Sequence, residues 1–252
     1  MNLSRISMRR AFACVVLCLA SGLLLVGCTP PWQHSNTAVA SNFGAQPTAQ
    51  QVLATLQKNF RTVTAFHVVM KTDNLGTATG NNQIQIRTAD GDVLMPDKVK
   101  AQANVLLSGQ AVTINLISIG DTQYITDPIT GQWRVVKGVL NASTLTNPNT
   151  GIISLATKLQ KLSAPTADTV NGTPCWRING LLDAKYLAFL TGGGVPNGTM
   201  LQTSLCVGKS DALLYELKVV GEATTTDTPQ TTRTFEISNY NENITIKAPQ
   251  IQ

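Results

Sequence analysis

The chain is short of the residues that do chemistry. Of its 252 residues only 2 are His and 14 are Asp or Glu, and charged residues of both signs make up 13%. His34 lies in a polar, proline-containing stretch and His67 inside an apolar run, so neither belongs to a pattern that ligates a metal or activates a nucleophile. There is no Gly-x-Ser-x-Gly elbow, no His-Glu-x-x-His helix and no complete Gly-x4-Gly-Lys-Ser/Thr phosphate loop. Gly192-Gly193-Gly194 lacks the preceding strand that a dinucleotide site needs, and reads as a turn. No spacing of carboxylates marks acid–base work. Metal, cofactor and catalytic chemistry therefore have no support in the residues, and none is expected.

The longest apolar run is also too short. Ala11 to Val26 gives sixteen apolar or small residues, against the roughly 20 that a membrane-crossing helix needs. Arg5, Arg9 and Arg10 precede it, and no acidic residue occurs before Thr29. A positive start, a short apolar stretch and a small residue at its end describe a secretory signal. Leu25-Val26-Gly27-Cys28 resembles the bacterial lipobox, in which lipid is attached to the cysteine and the chain is cut just before it. An ordinary signal with a chance cysteine and an uncleaved anchor are the plainer alternatives. The lipobox reading makes residues 1–27 a signal peptide, Cys28 the lipidation site, and the chain an exported one. It would be held by lipid at the outer face of the cytoplasmic membrane or elsewhere in the cell envelope.

Removing the signal takes three of the 19 basic residues and leaves 16 against the same 14 acidic ones. The residual charge of about +2 offers no basic face, so nucleic acid is not expected as a partner. Cys14 and Cys18 leave with the signal, and Cys28 is used for lipid. Cys175 and Cys206 remain, an even pair in an exported chain, which predicts a disulfide.

Residues 28–46 are poor in charge and lack apolar periodicity, reading as a flexible tether that spans roughly 20–25 Å as a coil. From residue 47 to 252 the pattern fits one α+β domain. Thr48 and Gln51 have the spacing of a capping box ahead of an apolar stripe, Val52, Leu53, Leu56 and Phe60. Six short, partly alternating runs follow between residues 65 and 138, a meander of antiparallel strands with one wet and one dry face. Ile152, Ile153, Leu155, Ala156, Leu159 and Leu162 then fall at helical spacing. A third short helix is expected around 183–190, with strands at 201–207 and in "ALLYELKVVGEA" and "TRTFEISNYNEN". Alternation puts Ile84 and Ile86, Val105 and Leu107, and Ile114 and Leu116 in pairs on single strand faces. With Ile152, Leu155, Ala156 and Leu159 they are candidate lining of an apolar cavity. Plain core packing is the simpler account of each residue taken singly, and composition leaves both open.

The order of features from the middle to the end carries a resemblance. Tyr124, a turn and Trp133 are followed by Asn147-Pro148-x-x-Gly151 leading into Leu155 and Leu159. Asn171-Gly172 then turns into a strand, and "LLDAKYL" follows. This is similar to the mycobacterial lipoprotein family LppX/LprA/LprF/LprG over roughly residues 47–250. The resemblance implies a strongly curved antiparallel β half-barrel with helices packed on its concave side, enclosing an apolar cavity, as in LolA and LolB. It implies a non-enzymatic, membrane-anchored lipoprotein that binds acyl chains of lipids or glycolipids and carries or presents them at the envelope. A membrane transporter or lipid acceptor protein is the further partner implied. The Cys175/Cys206 pair is not part of the resemblance. The rival reading is an envelope sensor or scaffold on the same fold that binds a protein partner.

Overall fold

Among the described residues eleven strands, most of them alternating in sequence, pair into one antiparallel sheet. The computed structural model describes residues 43, 46–77, 84–138, 142–147, 151–191, 194 and 196–251. The strands are β1 (Ala65–Asp73), β2 (Ile84–Leu94), β3 (Lys98–Leu107), β4 (Gln110–Ile119), β5 (Thr122–Thr126), β6 (Trp133–Val136), β7 (Thr166–Val170), β8 (Thr173–Asp183), β9 (Met200–Gly208), β10 (Leu214–Val220) and β11 (Thr232–Ser238). Their spatial order, β6-β5-β4-β3-β2-β1-β11-β10-β9-β8-β7, is two meanders joined where β1 pairs with β11. The sheet is open, with β6 and β7 at its edges. Two of its hairpins turn on two residues with positive φ, Ser108-Gly109 and Asn171-Gly172. That geometry matches the right-handed twist of the strands it joins.

Helix α1 (Ala49–Phe60) begins as its sequence predicts. The Gln51 N–H donates to Thr48 Oγ1 at 3.2 Å and the Thr48 N–H donates to Gln51 Oε1 at 2.8 Å, which closes the capping box. Its buried face is Ala49, Val52, Leu53, Leu56 and Phe60.

The helix expected through Ile152 to Leu162 is shortened to α3 (Ser154–Lys158), and a separate short helix, α2 (Ala142–Thr146), precedes it. The chain turns extended at Leu159, and Gln160 exchanges two backbone hydrogen bonds of 2.8 Å with Leu181 of β8. Sheet pairing thus replaces helix continuation, and Leu159 and Leu162 leave the helical stripe. Gly180 makes the approach possible, because a Cβ there would stand 3.0 Å from the Gln160 carbonyl oxygen. The third expected helix is a 3-10 turn (Ala184–Leu187) running into α4 (Ala188–Thr191), capped by Asp183 Oδ1 accepting the Lys185 N–H at 3.0 Å. Strand β7, mostly exposed and polar, has no apolar alternation to announce it.

The hydrophobic core lies on one face of the sheet and is densest over β8, β9 and β10. There Ile178, Leu182, Leu201, Leu205 and Leu217 are all fully buried and share one cluster with α1 and α3. Cys175 and Cys206 form a disulfide between β8 and β9, with Cα atoms 5.6 Å apart. They sit with Val170 and Tyr215 in a small second cluster.

Candidate functional site

Over the other half of the sheet the same inward alternation leaves an apolar pocket of about 220 Å³. The register explains its floor. Met70, Ala89, Ala103 and Ile114 stand side by side across β1 to β4. In the next row are Val68, Gly91, Ala101, Leu116 and Ile125, from β1 to β5. The middle of both rows is therefore made of alanine and glycine where a core strand would carry leucine or valine. All nine residues line the pocket. Gly91 is constrained as well as small, since a Cβ there would lie 2.6 Å from that of Ala101.

A β-bulge at Arg87 keeps this surface continuous. Ile86 pairs with Val105 but Thr88 pairs with Asn104, so the inward-facing positions change parity from Ile86 to Ala89, Gly91 and Val93. Phe66 with Val93 and Val99 forms one end, and Phe235 stands across from Met70 at the β1–β11 seam. Leu145 of α2, Ile152 and Leu190 of α4 complete the lining from the helical side. Two side chains tie α2 to the sheet. The buried Ser118 Oγ accepts the Ala142 N–H at 3.2 Å, and the Thr146 hydroxyl donates to the Pro96 carbonyl.

Of the expected lining residues, the structure brings Ile86, Val105, Ile114, Leu116 and Ile152 to this pocket. Leu155, Ala156 and Leu159 are buried in the core by α1 and β8 instead. Leu107 lies half-buried at the end of β3, beyond the lining. Ile84 opens β2, but its side chain, like Cys28, lies outside the described residues. The alanines, Gly91 and the β1 residues were not picked out by the sequence, although the alternation of Phe66, Val68 and Met70 marks a dry face as clearly as that of Ile114 and Leu116.

The pocket lining is almost wholly apolar; Asp90 is its one charged residue, and the Asp90 side chain is two-thirds exposed. Asp90 stands 3.6 Å from His67 Nε2, and the other ion pairs among the described residues lie outside this lining. Arg177 bridges Asp168, at 2.8 Å, and Glu216 on the opposite, polar face. The Thr169 N–H, helped by Arg177, holds the Asp168 carboxyl below its usual range. The N–H groups of Thr130 and Ile129 do the same for Asp127, and the Lys185 N–H and ammonium for Asp183. A larger hollow of about 770 Å³ lies on that polar face, along Arg177, Asn179, Gln202, Ser204 and Lys218. It is a solvated trough of the twisted sheet. Among the described residues no cluster of three or more His, Cys, Asp or Glu is placed to hold a metal ion.

The fold of this open antiparallel sheet is one already solved in mycobacterial proteins. LprF from Mycobacterium bovis superposes with a TM-score of 0.64 at 19% identity, covering 81% of this chain and 99% of that one. Lipoprotein LppX from Mycobacterium tuberculosis gives 0.55 at 17% identity, with 79% and 99% covered. The chain belongs to the LppX_LprAFG lipoprotein family, whose model matches residues 48–246. No curated protein matches it by sequence.

Proposed function

We propose that this protein is a membrane-anchored, non-enzymatic lipid-binding lipoprotein. In this reading an acyl chain enters the pocket over β1 to β5. The protein then carries the lipid, or glycolipid, or presents it to an acceptor at the cell envelope. The observation that carries this reading is the floor of Ala89, Gly91, Ala101 and Ala103, four small residues placed where larger ones would fill the core. A scaffold that needed only a stable sheet has no use for that gap.

The energetics require such a surface. A lipid chain leaving the membrane gives up about 0.8 kcal/mol per CH₂, so a chain of ~16 carbons needs on the order of 12 kcal/mol of replacement. Apolar walls supply this without catalysis or metal. At about 220 Å³ the pocket lies below the roughly 300–1,000 Å³ of typical ligand sites. In this conformation it suits one chain rather than several. Cys28, once acylated, would keep the domain at the membrane surface.

Native mass spectrometry of Thr29–Gln252, expressed in a mycobacterial host, tests the proposal. The expected result is a stoichiometric adduct that extracts into organic solvent as acylated lipid. A clean unliganded mass, with no uptake from native membrane extract, contradicts it and favours the partner-binding scaffold.

A further inference from the structure

Beside the apolar pocket lies a second chamber of about 70 Å³, which shares Met70, Ile86, Leu190 and Phe235 with it. Its remaining wall combines Leu75 and Leu187 with four polar residues, Gln85, Thr224, Thr226 and Arg233. Arg233 is bound in parallel to Asp227, Nη1 to Oδ2 at 2.6 Å and Nη2 to Oδ1 at 2.7 Å. Asp227 is fully buried and also accepts the N–H groups of Ala223 and Thr224 at 2.9 Å. The pair is therefore fixed and has no net charge. Two of the five guanidinium N–H donors are used in it.

A second observation points to the same place. Thr72 follows Met70 on the same face of β1, and the register sets it directly across from Arg233. It is only 7% exposed, and its Oγ1 has no hydrogen-bond partner among the described residues. A buried hydroxyl left unpaired is costly. Thr72 adjoins the chamber through its cross-strand neighbour Arg233 rather than lining it, and an acceptor oxygen entering beside Arg233 would relieve that cost.

We propose that the chamber is a subsite for the uncharged, oxygen-bearing group at the polar end of a bound lipid, an ester carbonyl or hydroxyl. The inference rests on the lipid-binding reading and adds the class of lipid. Donors from Arg233 and Thr72 suit an acceptor oxygen. A carboxylate or phosphate would set a second negative charge beside the buried Asp227, whose own charge already satisfies Arg233. The volume takes a group of a few heavy atoms.

The test uses three probes of one chain length: hexadecane, methyl hexadecanoate and hexadecanoate. Each is read by displacement of an apolar fluorescent dye from the purified full chain at pH 8. The methyl ester is expected to bind at least about tenfold more tightly than the carboxylate. Thr72→Val, which keeps shape and removes the hydroxyl, should weaken the ester roughly 3–10-fold and leave hexadecane unchanged. Gln85→Leu, at the other side of the chamber, should act in the same direction. The subsite is refuted if hexadecanoate matches the ester, if both variants leave the ester unaffected, or if they weaken ester and alkane alike. Should hexadecane itself fail to displace the dye, the apolar pocket does not take acyl chains, and the proposed function falls together with the subsite.

Discussion

The two halves of the sheet follow one alternating pattern and end differently. Over β8 to β10 the inward positions include Ile178, Leu182, Leu201, Leu205 and Leu217, all buried in the core cluster that holds α1 and α3. The small Gly180 among them is covered by Leu159 and Leu162. Over β2 and β3 they include Ala89, Gly91, Ala101 and Ala103, and a pocket stands above them. Hydrophobic periodicity decides which face is dry. Side-chain volume decides whether that face is filled. One half thus holds the fold together, and the other is free to be used.

Opposite responses to volume changes are the strongest way to break this comparison. Leu205→Ala in the filled half should cost about 2–5 kcal/mol, read as a lower urea midpoint. Ala103→Leu in the pocketed half should stabilise by roughly 0.5–2 kcal/mol as a cavity-filling change while abolishing lipid uptake. Equal destabilisation by both would show that the two halves are packed alike. Next in size is the disulfide, which belongs to the filled half. Its 31-residue separation gives about 3–4 kcal/mol on the loop-entropy model. Cys175→Ala with Cys206→Ala should lower the midpoint accordingly and leave the dye affinity of the folded protein intact.

Smaller effects sharpen the picture at the edges. Thr48→Ala removes the capping box of α1 and should cost about 1 kcal/mol. Unlike the pocket variants, it should not change ligand preference. The depressed carboxyls of Asp127, Asp168 and Asp183 favour the folded state above their ordinary value of 3.8. That benefit fades as pH falls below the ordinary value and is gone below the folded one. Urea midpoints from pH 7 down to 2 should therefore decline at the acid end. The decline should be shallower for Asp183→Asn, which can no longer lose the interaction by protonation.

Much of the fold is legible in the sequence. The capping box, the meander and the Asn171-Gly172 turn depend on neighbours a few residues apart, and short-range chemistry announces them. What is not legible depends on partners distant in sequence. The stripe from Ile152 to Leu162 has helical spacing, yet Gln160 finds a better partner in Leu181, so the helix ends early. The site is legible only in part for a related reason. Ile86, Val105, Ile114 and Leu116 stand out because they are large and alternate. The residues that create the space are small, and an alanine in a strand carries no signal until the register shows what stands beside it. The bulge at Arg87 hides it further, because a parity rule carried through β2 from Ile84 and Ile86 would turn Ala89, Gly91 and Val93 to the wrong face.

The central claim is that an acyl chain lies over the small-residue floor of β1 to β5. The most direct measurement is photo-crosslinking with a sixteen-carbon methyl ester bearing a mid-chain diazirine, followed by peptide mapping. Label on β1 to β4 and around Leu145 and Leu190, competed away by unlabelled ester and lost in Ala103→Leu, is the predicted result. Label spread over the polar face of β8 to β11, or unchanged by Ala103→Leu, would contradict it.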